Sequence, residues 1–187
     1  MSNTPPSRLG KYEVLQEINR GSMGTVYLGH DPYTDRPVAI KVAHAEQLQD
    51  EDSGHRYRKM FFNEAHMAGR LTHPNIVSIF DAGVDEEVCY IVMEFVEGGH
   101  TLKPLCRPDN LLPVDKVVEI AFKCAKALDY AHRQGVIHRD VKPSNILLTR
   151  DMYVKIADFS IAHLTKLAST ETMPLGLIGT PSYMSPE

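Results

Sequence analysis

Short apolar runs, separated by polar or glycine-bearing turns, fill the first half of the chain. Apolar residues recur at strand-like spacing twice within 11–27, and again over 37–42, 76–80 and 88–93. Runs of this length bounded by turn residues are typical of strands. Between the third and fourth runs, apolar residues recur at the spacing of an amphipathic helix: Met60, Phe61, Ala65, Ala68 and Leu71. The pattern predicts five strands and one helix.

The second half of the chain is more helical. Pro113 suits the first position of a helix, which would end at Gly135. Short strand-like runs follow at 146–148 and 152–157, whereas residues 1–10 have no periodic pattern and predict a disordered tail. Within the helix the apolar residues predict one core face: Val117, Ile120, Ala121, Cys124, Ala125, Leu128 and Ala131.

Composition excludes several classes of protein. The chain has 187 residues, of which 43% are hydrophobic and 24% charged, enough for one large domain or two small lobes. Its net charge of −4 provides no basic field for nucleic acid or an anionic membrane. The three cysteines have no C-x-x-C spacing, and no apolar signal segment opens the chain. We expect a cytoplasmic location, although a membrane tether beyond Glu187 in a longer parent remains an alternative.

A polar loop between two apolar runs, at 136–148, holds the most distinctive chemistry. Asp140 could accept a proton from a hydroxyl, and Lys142 could neutralise charge that develops beside it. Asn145 could offer its amide oxygen to a hard cation. A core segment would not carry an acid, a cation and an amide at fixed offsets. These groups are the parts that phosphoryl transfer needs, so the loop predicts that chemistry.

The loop and three other segments resemble motifs of protein kinases, in the order of that family. H-R-D at 138–140 resembles the catalytic loop, V-A-I-K at 38–41 the third strand, and D-F-S at 158–160 the metal-binding D-F-G. G-T-P at 179–181, followed by S-P-E at 185–187, resembles the end of the activation segment. The chain is thereby identified as a serine/threonine kinase catalytic domain, similar to the bacterial eukaryotic-like group and truncated after that segment.

The resemblance implies an α+β fold with two lobes. The N-lobe, over 11–93, would be a five-stranded antiparallel sheet with one main helix. A hinge over 94–99 would lead to a partial helical C-lobe over 100–187 that ends at the S-P-E motif, and ATP would bind between the lobes. Because the chain stops there, we expect an uncovered apolar face on the helix at 113–134 and weak activity.

The resemblance also implies roles for individual residues. Asp140 would orient the substrate hydroxyl, Lys142 and Thr180 would complete the site beside it, and Lys41 paired with Glu64 would orient the phosphates. Mg²⁺ would be held by Asn145 and Asp158, and phosphorylation is expected at Ser169, Thr170 or Thr172. The expected ATP-binding residues are Ile18, Gly21, Gly24, Val26, Ala39, Lys41, Met93, Glu94, Val96 and Leu147.

Two substitutions keep a second class of function open. Asn19 stands where the glycine-rich loop has its first glycine, and Ser160 replaces the glycine of D-F-G. Together with the early end of the chain, they motivate a pseudokinase-like nucleotide-binding or scaffold module. The intact residues Lys41, Asp140, Asn145 and Asp158 argue for the enzyme. The expected ligands are ATP, Mg²⁺ and a protein with Ser or Thr, without nucleic acid or membrane contact; the sequence does not predict the substrate or the oligomeric state.

Overall fold

The computed structural model describes residues 6–21, 24–43, 51–159 and 180–184; within the helix over 51–68, the side chains of 51–57, Met60 and Glu64 lie outside this description. The chain divides into two units. The first contains Met1–Ala65 and Ile79–Phe95, and the second contains His66–Ser78 and Val96–Glu187. Residues 66–78, assigned from sequence to the first lobe, therefore belong to the second unit.

An antiparallel sheet of six strands forms the first unit, in the order β1-β2-β3-β4-β6-β5. The helix α1, Glu51–Ala68, joins β4 to β5 along the chain. This architecture confirms the predicted antiparallel sheet and its main helix. The strands are β1 (Arg8–Leu9), β2 (Tyr12–Gly21), β3 (Gly24–Asp31), β4 (Arg36–Val42), β5 (Ile79–Asp85) and β6 (Val88–Glu94).

The sixth strand, β1, corrects the prediction that residues 1–10 are a disordered tail. Leu9 pairs with Tyr12 across a tight turn, and both side chains are buried. Gly10 makes the turn possible because its φ is +56°, a conformation that glycine adopts without strain. Two residues are too few to show a periodicity, so this strand could not be predicted from the sequence.

The alternation of side chains along the strands gives the sheet two apolar faces. On one face, Val38 and Ile40 of β4 cluster with Tyr90 and Val92 of β6. On the other, Ile91 of β6 clusters with residues of α1, including Phe61. Successive strand residues point to opposite faces, so β6 contributes to both clusters, and β4 and β6 are buried along most of their length.

The second unit is built around α2, Val114–Arg133, and a small antiparallel sheet in the order β7-β8-β9. These strands are His100–Thr101, Ile146–Leu148 and Val154–Ile156. Short 3₁₀ turns occupy Lys103–Cys106, Pro143–Asn145 and Pro181–Tyr183. No helix in the described ranges is long and apolar enough to span a membrane.

The residues of α2 that are buried differ from those of the predicted core face. Its buried residues are Ile120, Cys124, Ala127 and Ala131, which recur at helical spacing. Val117, Ala121 and Ala125 belonged to the predicted face but are exposed. Apolar residues occupy more than one side of this helix, so periodicity alone could not identify the side that packs against the described residues.

Candidate active site

The polar loop predicted from sequence connects α2 to β8. Gly135, with φ of +76°, ends the helix, and the Val136 N–H donates to the Ala131 carbonyl. Val136 is fully buried, which fixes the start of the loop. Arg139 then adopts φ of +62°, a left-handed conformation that is uncommon for a long side chain. The chain reverses there and directs Asp140 into the second unit, where its side chain is buried.

Asp140 lies at the centre of a network of four side chains. The Thr180 hydroxyl donates to Asp140 Oδ1 at 2.7 Å, and Lys142 Nζ lies 2.7 Å from Asp140 Oδ2. Lys142 also donates to Thr180 Oγ1 at 2.8 Å. Asn145 Nδ2 donates to the Asp140 carbonyl at 2.9 Å and to Oδ2 at 3.2 Å. The structure thus brings together four of the residues selected from the motifs.

These contacts keep Asp140 ionised. Burial alone would raise the pKa of the carboxyl, but hydrogen bonds from Lys142 and Thr180 outweigh burial and lower the pKa below its usual value. A carboxylate offers about four lone-pair sites. Two contacts to Oδ2 and one to Oδ1 leave capacity to accept a hydrogen bond from a substrate hydroxyl.

The His138 side chain holds the loop in place through contacts that could not be predicted from the sequence. Its ring is fully buried and lies 4.6 Å, centroid to centroid, from the ring of Phe159. His138 Nδ1 accepts from the Asp140 N–H at 3.2 Å, and Nε2 donates to the Ala157 carbonyl at 3.0 Å. This pattern requires a neutral ring with its proton on Nε2. Burial lowers the pKa of His138 and favours that neutral form.

Asp158 follows the last strand of the small sheet. The Ala157 N–H donates to the Asn145 carbonyl at 2.9 Å, so the residue before Asp158 is tied to Asn145. Asp158 itself has φ of +58°, which Asp tolerates better than most residues. The Asn145 amide nitrogen contacts Asp140, which directs its nitrogen, and not its oxygen, towards that carboxylate.

The donors fit a hard cation. A carboxylate at Asp158 and an amide oxygen at Asn145 are the oxygen ligands that Mg²⁺ accepts, and Mg²⁺ is usually held by one or two protein groups together with phosphates and water. Among the described residues, no group of three or more His, Cys, Asp or Glu side chains could hold a metal by itself.

In the first unit, four of the residues expected to bind ATP share one face of the sheet. Val26 lies opposite Lys41, and Ala39 lies opposite Met93. Residues directly opposite each other in an antiparallel pair point to the same side. Met93 also packs against the cluster that contains α1, so this is the face that α1 covers. Lys41 is only 4% exposed, so its side chain does not reach from the sheet into solvent.

The glycines of the β2–β3 hairpin have different structural requirements. Gly21 and Gly24 form its last pair. Gly24 has φ of +148°, and a Cβ there would collide with the Val42 carbonyl. A Cβ at Gly21 would meet no described atom closer than 4.0 Å. Asn19 is an ordinary strand residue opposite Val26 and has no positive φ, so its backbone conformation does not require glycine.

The remaining expected residues fall in several places. Ile18 lies at an irregularity in the β2–β3 register and is partly exposed. Glu94 is the last residue of β6, and Val96 accepts a hydrogen bond from the Gly99 N–H in the turn that follows. Leu147 is the central residue of β8. Five residues lie outside the described residues or side chains: Glu64, Ser160, Ser169, Thr170 and Thr172.

Comparison with known families agrees with this geometry. Residues 12–187 match the family described as protein kinase domain. The chain belongs to the protein kinase family.

The related proteins of this family are bacterial serine/threonine kinases. The chain is 40% identical over 179 residues to serine/threonine-protein kinase PrkC of Bacillus subtilis, covering 95% of this chain and 26% of PrkC. It is 37% identical over 188 residues to serine/threonine-protein kinase PknB of Mycobacterium leprae, covering 98% of this chain and 29% of that protein. The chain therefore spans between a quarter and a third of the length of these relatives.

A solved structure shows the same fold. The crystal structure of the Mycobacterium tuberculosis PknI kinase domain matches with a TM-score of 0.70 and 35% sequence identity. The match covers 83% of this chain and 62% of that kinase domain. The likeness extends the family assignment from sequence to three-dimensional structure.

Proposed function

We propose that this protein transfers the γ-phosphoryl group of ATP to a serine or threonine hydroxyl of a protein. The observation that carries this proposal is the network around Asp140. An ionised carboxylate with an ammonium group 2.7 Å away is suited to orient a hydroxyl and to neutralise charge that develops beside it. The serine/threonine kinases among the relatives support the same reaction.

The residues of the second unit would act as follows. The substrate hydroxyl would donate its hydrogen bond to Asp140, which would place the oxygen for in-line attack and receive the proton as the new O–P bond forms and the bond to the leaving ADP breaks. Lys142 lies beside Asp140 and stabilises negative charge on the transferred group. Thr180 holds the side chains of Asp140 and Lys142 in position through its two hydrogen bonds. ATP with Mg²⁺ supplies the transferable group when bound.

The groups that would bind ATP and Mg²⁺ belong to residues already described. Asn145 and Asp158 would hold Mg²⁺ through oxygen atoms, and Lys41 would contact the phosphates, as the resemblance to kinases implies. The glycines at 21 and 24 would let backbone N–H groups approach the phosphates. The pairing of Lys41 with Glu64 remains part of this proposal.

Regulation by phosphorylation is a second part of the proposal. Arg139 Nη1 is buried and has no hydrogen-bond partner among the described residues. A buried guanidinium N–H without a partner is costly, and a phosphate is an acceptor that matches its fork of donors. Phosphorylation at Thr170 or Thr172, or less strongly at Ser169, would supply that acceptor and raise activity.

The test is phosphoryl transfer by the purified protein, measured for this chain and for any longer protein that contains it. Asp140→Asn should lower kcat by about two to four orders of magnitude, because it removes the proton acceptor. ATP affinity should stay within about threefold, since Asp140 does not contact the nucleotide in this scheme. Asp151→Asn, an exposed aspartate in the same unit, serves as the control.

Two results would contradict the proposal. Turnover in Asp140→Asn equal to that of the unmodified protein would exclude Asp140 from the reaction. Nucleotide binding with no transfer to Ser, Thr or Tyr acceptors, in every length of protein tested, would favour the pseudokinase-like alternative.

A further inference from the structure

The strand that precedes Asp158 is held along its outer edge by a segment outside the kinase motifs discussed above. The Ile156 N–H of β9 donates to the Asn75 carbonyl at 2.8 Å, and the Val77 N–H donates to the Ile156 carbonyl at 2.9 Å. Ile76 and Ile156 form a parallel bridge. The other edge of β9 pairs with β8, so the strand is fixed from both sides.

Asn75 also contacts the β9 backbone through its side chain. Its Nδ2 donates to the Val154 carbonyl at 2.8 Å, while its backbone carbonyl accepts from Ile156. One residue therefore holds the first and the last residue of β9. Such a two-point attachment fixes the strand against sliding along its own axis, which a single hydrogen bond would not do.

Asn75 is itself anchored to α2. The Thr72 N–H donates to Tyr130 Oη at 3.1 Å, and the ring of His73 lies 5.2 Å from the Tyr130 ring. His73 Nδ1 then accepts from the Asn75 N–H at 3.0 Å. These contacts form a continuous path from the helix to the strand, with Asn75 as its last member.

A shift of β9 would displace Asp158, which follows the strand after one residue. Ala157 continues the strand, and its N–H and carbonyl contact Asn145 and His138 at 2.9 and 3.0 Å. Asp158 comes next, in a left-handed conformation that surrounding contacts must maintain. Loss of the attachment at Val154 would therefore loosen the alignment of Asp158 with Asn145.

We propose that Asn75 is a positioning residue for Asp158, acting through β9. The catalytic part of this proposal rests on the function proposed above, because Asp158 would hold Mg²⁺ only if the protein has that function. Its structural part, the attachment of β9 by the Asn75 side chain, stands independently of that function.

The experiment compares Asn75→Asp with the unmodified protein. Aspartate keeps the shape of the side chain but replaces the donor to Val154 with an acceptor. Tyr130→Phe is a milder second variant, because it removes only the oxygen that accepts from Thr72. Thr72→Ala is the control, because the contact of Thr72 uses its backbone N–H.

Two quantities are measured. Hydrogen exchange of the peptide 153–159 should be about three- to tenfold faster in Asn75→Asp, the range expected for losing one hydrogen bond, while the strands of the first unit stay unchanged. The Mg²⁺ concentration for half-maximal turnover should rise by a similar factor, with KM for the protein substrate unchanged. Tyr130→Phe should shift both in the same direction, and Thr72→Ala should leave both within about twofold.

Unchanged exchange at 153–159 in Asn75→Asp and Tyr130→Phe would overturn the proposal. Faster exchange with an unchanged Mg²⁺ requirement would show a purely structural contact and would overturn it as well. If Asn75→Asp does not fold, Tyr130→Phe decides between the same outcomes. Absence of turnover in the unmodified protein, in every length tested, would instead contradict the proposed function, and the exchange data would still decide whether Asn75 holds β9.

Discussion

Thr180 Oγ1 lies 2.7 Å from Asp140 Oδ1, although the two residues are 40 positions apart in the chain. The same hydroxyl accepts a hydrogen bond from Lys142. Thr180 therefore links the Asp140 carboxylate to the Lys142 ammonium group, and its hydroxyl fixes the direction in which the carboxylate faces. A residue from the far end of the described chain thus completes the arrangement of the catalytic loop.

Replacing Thr180 with valine should reduce turnover. Valine keeps the shape but removes both hydrogen bonds, so Asp140 and Lys142 lose their common partner. We expect kcat to fall about tenfold or more, as for the loss of about 1.5 kcal/mol of hydrogen bonding to charged groups, with ATP affinity unchanged. Steady-state kinetics on Thr180→Val, Thr180→Ser and the exposed-site control Ser182→Ala provide the test.

Thr180→Ser should recover most of the activity because it restores the hydroxyl. If valine and serine reduced kcat equally, the hydrogen bonds of Thr180 would not be the cause. A loss in Ser182→Ala as large as that in Thr180→Val would point to a general disturbance of the 3₁₀ turn.

The two hairpin glycines should respond differently to alanine. Gly24→Ala should lower the melting temperature, because a Cβ would collide with the Val42 carbonyl in a backbone conformation unsuited to alanine. Gly21→Ala should fold normally, since a Cβ there would meet no described atom closer than 4.0 Å, but should weaken ATP binding if backbone groups there approach the phosphates. Thermal unfolding and ATP titration of both variants separate the two effects. Equal melting temperatures of the two variants would contradict the expected collision at Gly24. Unaltered ATP affinity in Gly21→Ala would contradict the expected approach of its backbone to the phosphates.

Stability should fall as the pH drops below about 6.5, because of His138. Burial lowers the pKa of this ring from its usual value of 6.5 in the folded protein. The unfolded chain therefore takes up the proton first as pH falls, so the contribution is complete above 6.5 and decreases below it. The groups that face the ring are Asp140, Asp158, Phe159 and the Ala157 carbonyl, and the two carboxylates oppose the shift without reversing it.

Denaturant unfolding between pH 7.5 and about 5.5 measures this dependence. His73, whose pKa is also lowered by burial and by Lys155, contributes with the same sign. His138→Gln should therefore flatten the dependence only in part. A stability that rises towards pH 5.5 would show that the sign is wrong.

Phosphorylation should activate the protein through Arg139. Asparagine tolerates the left-handed backbone of this position and lacks the cation, so Arg139→Asn removes the phosphate partner while keeping the turn. Phosphatase treatment should lower the activity of the unmodified protein and should have no effect on Arg139→Asn. Mass spectrometry should find the phosphate on Ser169, Thr170 or Thr172. Full activity after complete dephosphorylation would contradict this.

The sequence carried enough information for the sheet, its helix and the set around Asp140. The spacing of apolar residues that is typical of strands and helices is visible in the sequence. Few functions other than phosphoryl transfer need an acid, a lysine and an amide together in one loop. β1 was missed because it is too short to show a period. His138 was read as part of a motif, and its role depends on a tautomer and on two backbone partners that are distant in the chain.

The same reasoning explains why Asn75 and the packing side of α2 were missed. Asn75 acts through a hydrogen bond to a backbone carbonyl 79 positions away, and a carbonyl has no sequence signature. The buried side of α2 depends on which neighbours are present, because Val117 and Phe122 are as apolar as Ile120 and yet are exposed. Distant backbone contacts and the choice between two apolar helix faces are decided by tertiary structure.

The left-handed backbone at Arg139 also bears on any effort to stabilise this protein. A side chain of this type costs about 1–2 kcal/mol in that conformation, and asparagine or glycine would cost less. A directed-evolution screen that rewards heat resistance alone should therefore replace the arginine early. The improved variants would melt later but would no longer respond to phosphorylation, so position 139 is where thermal robustness and responsiveness compete.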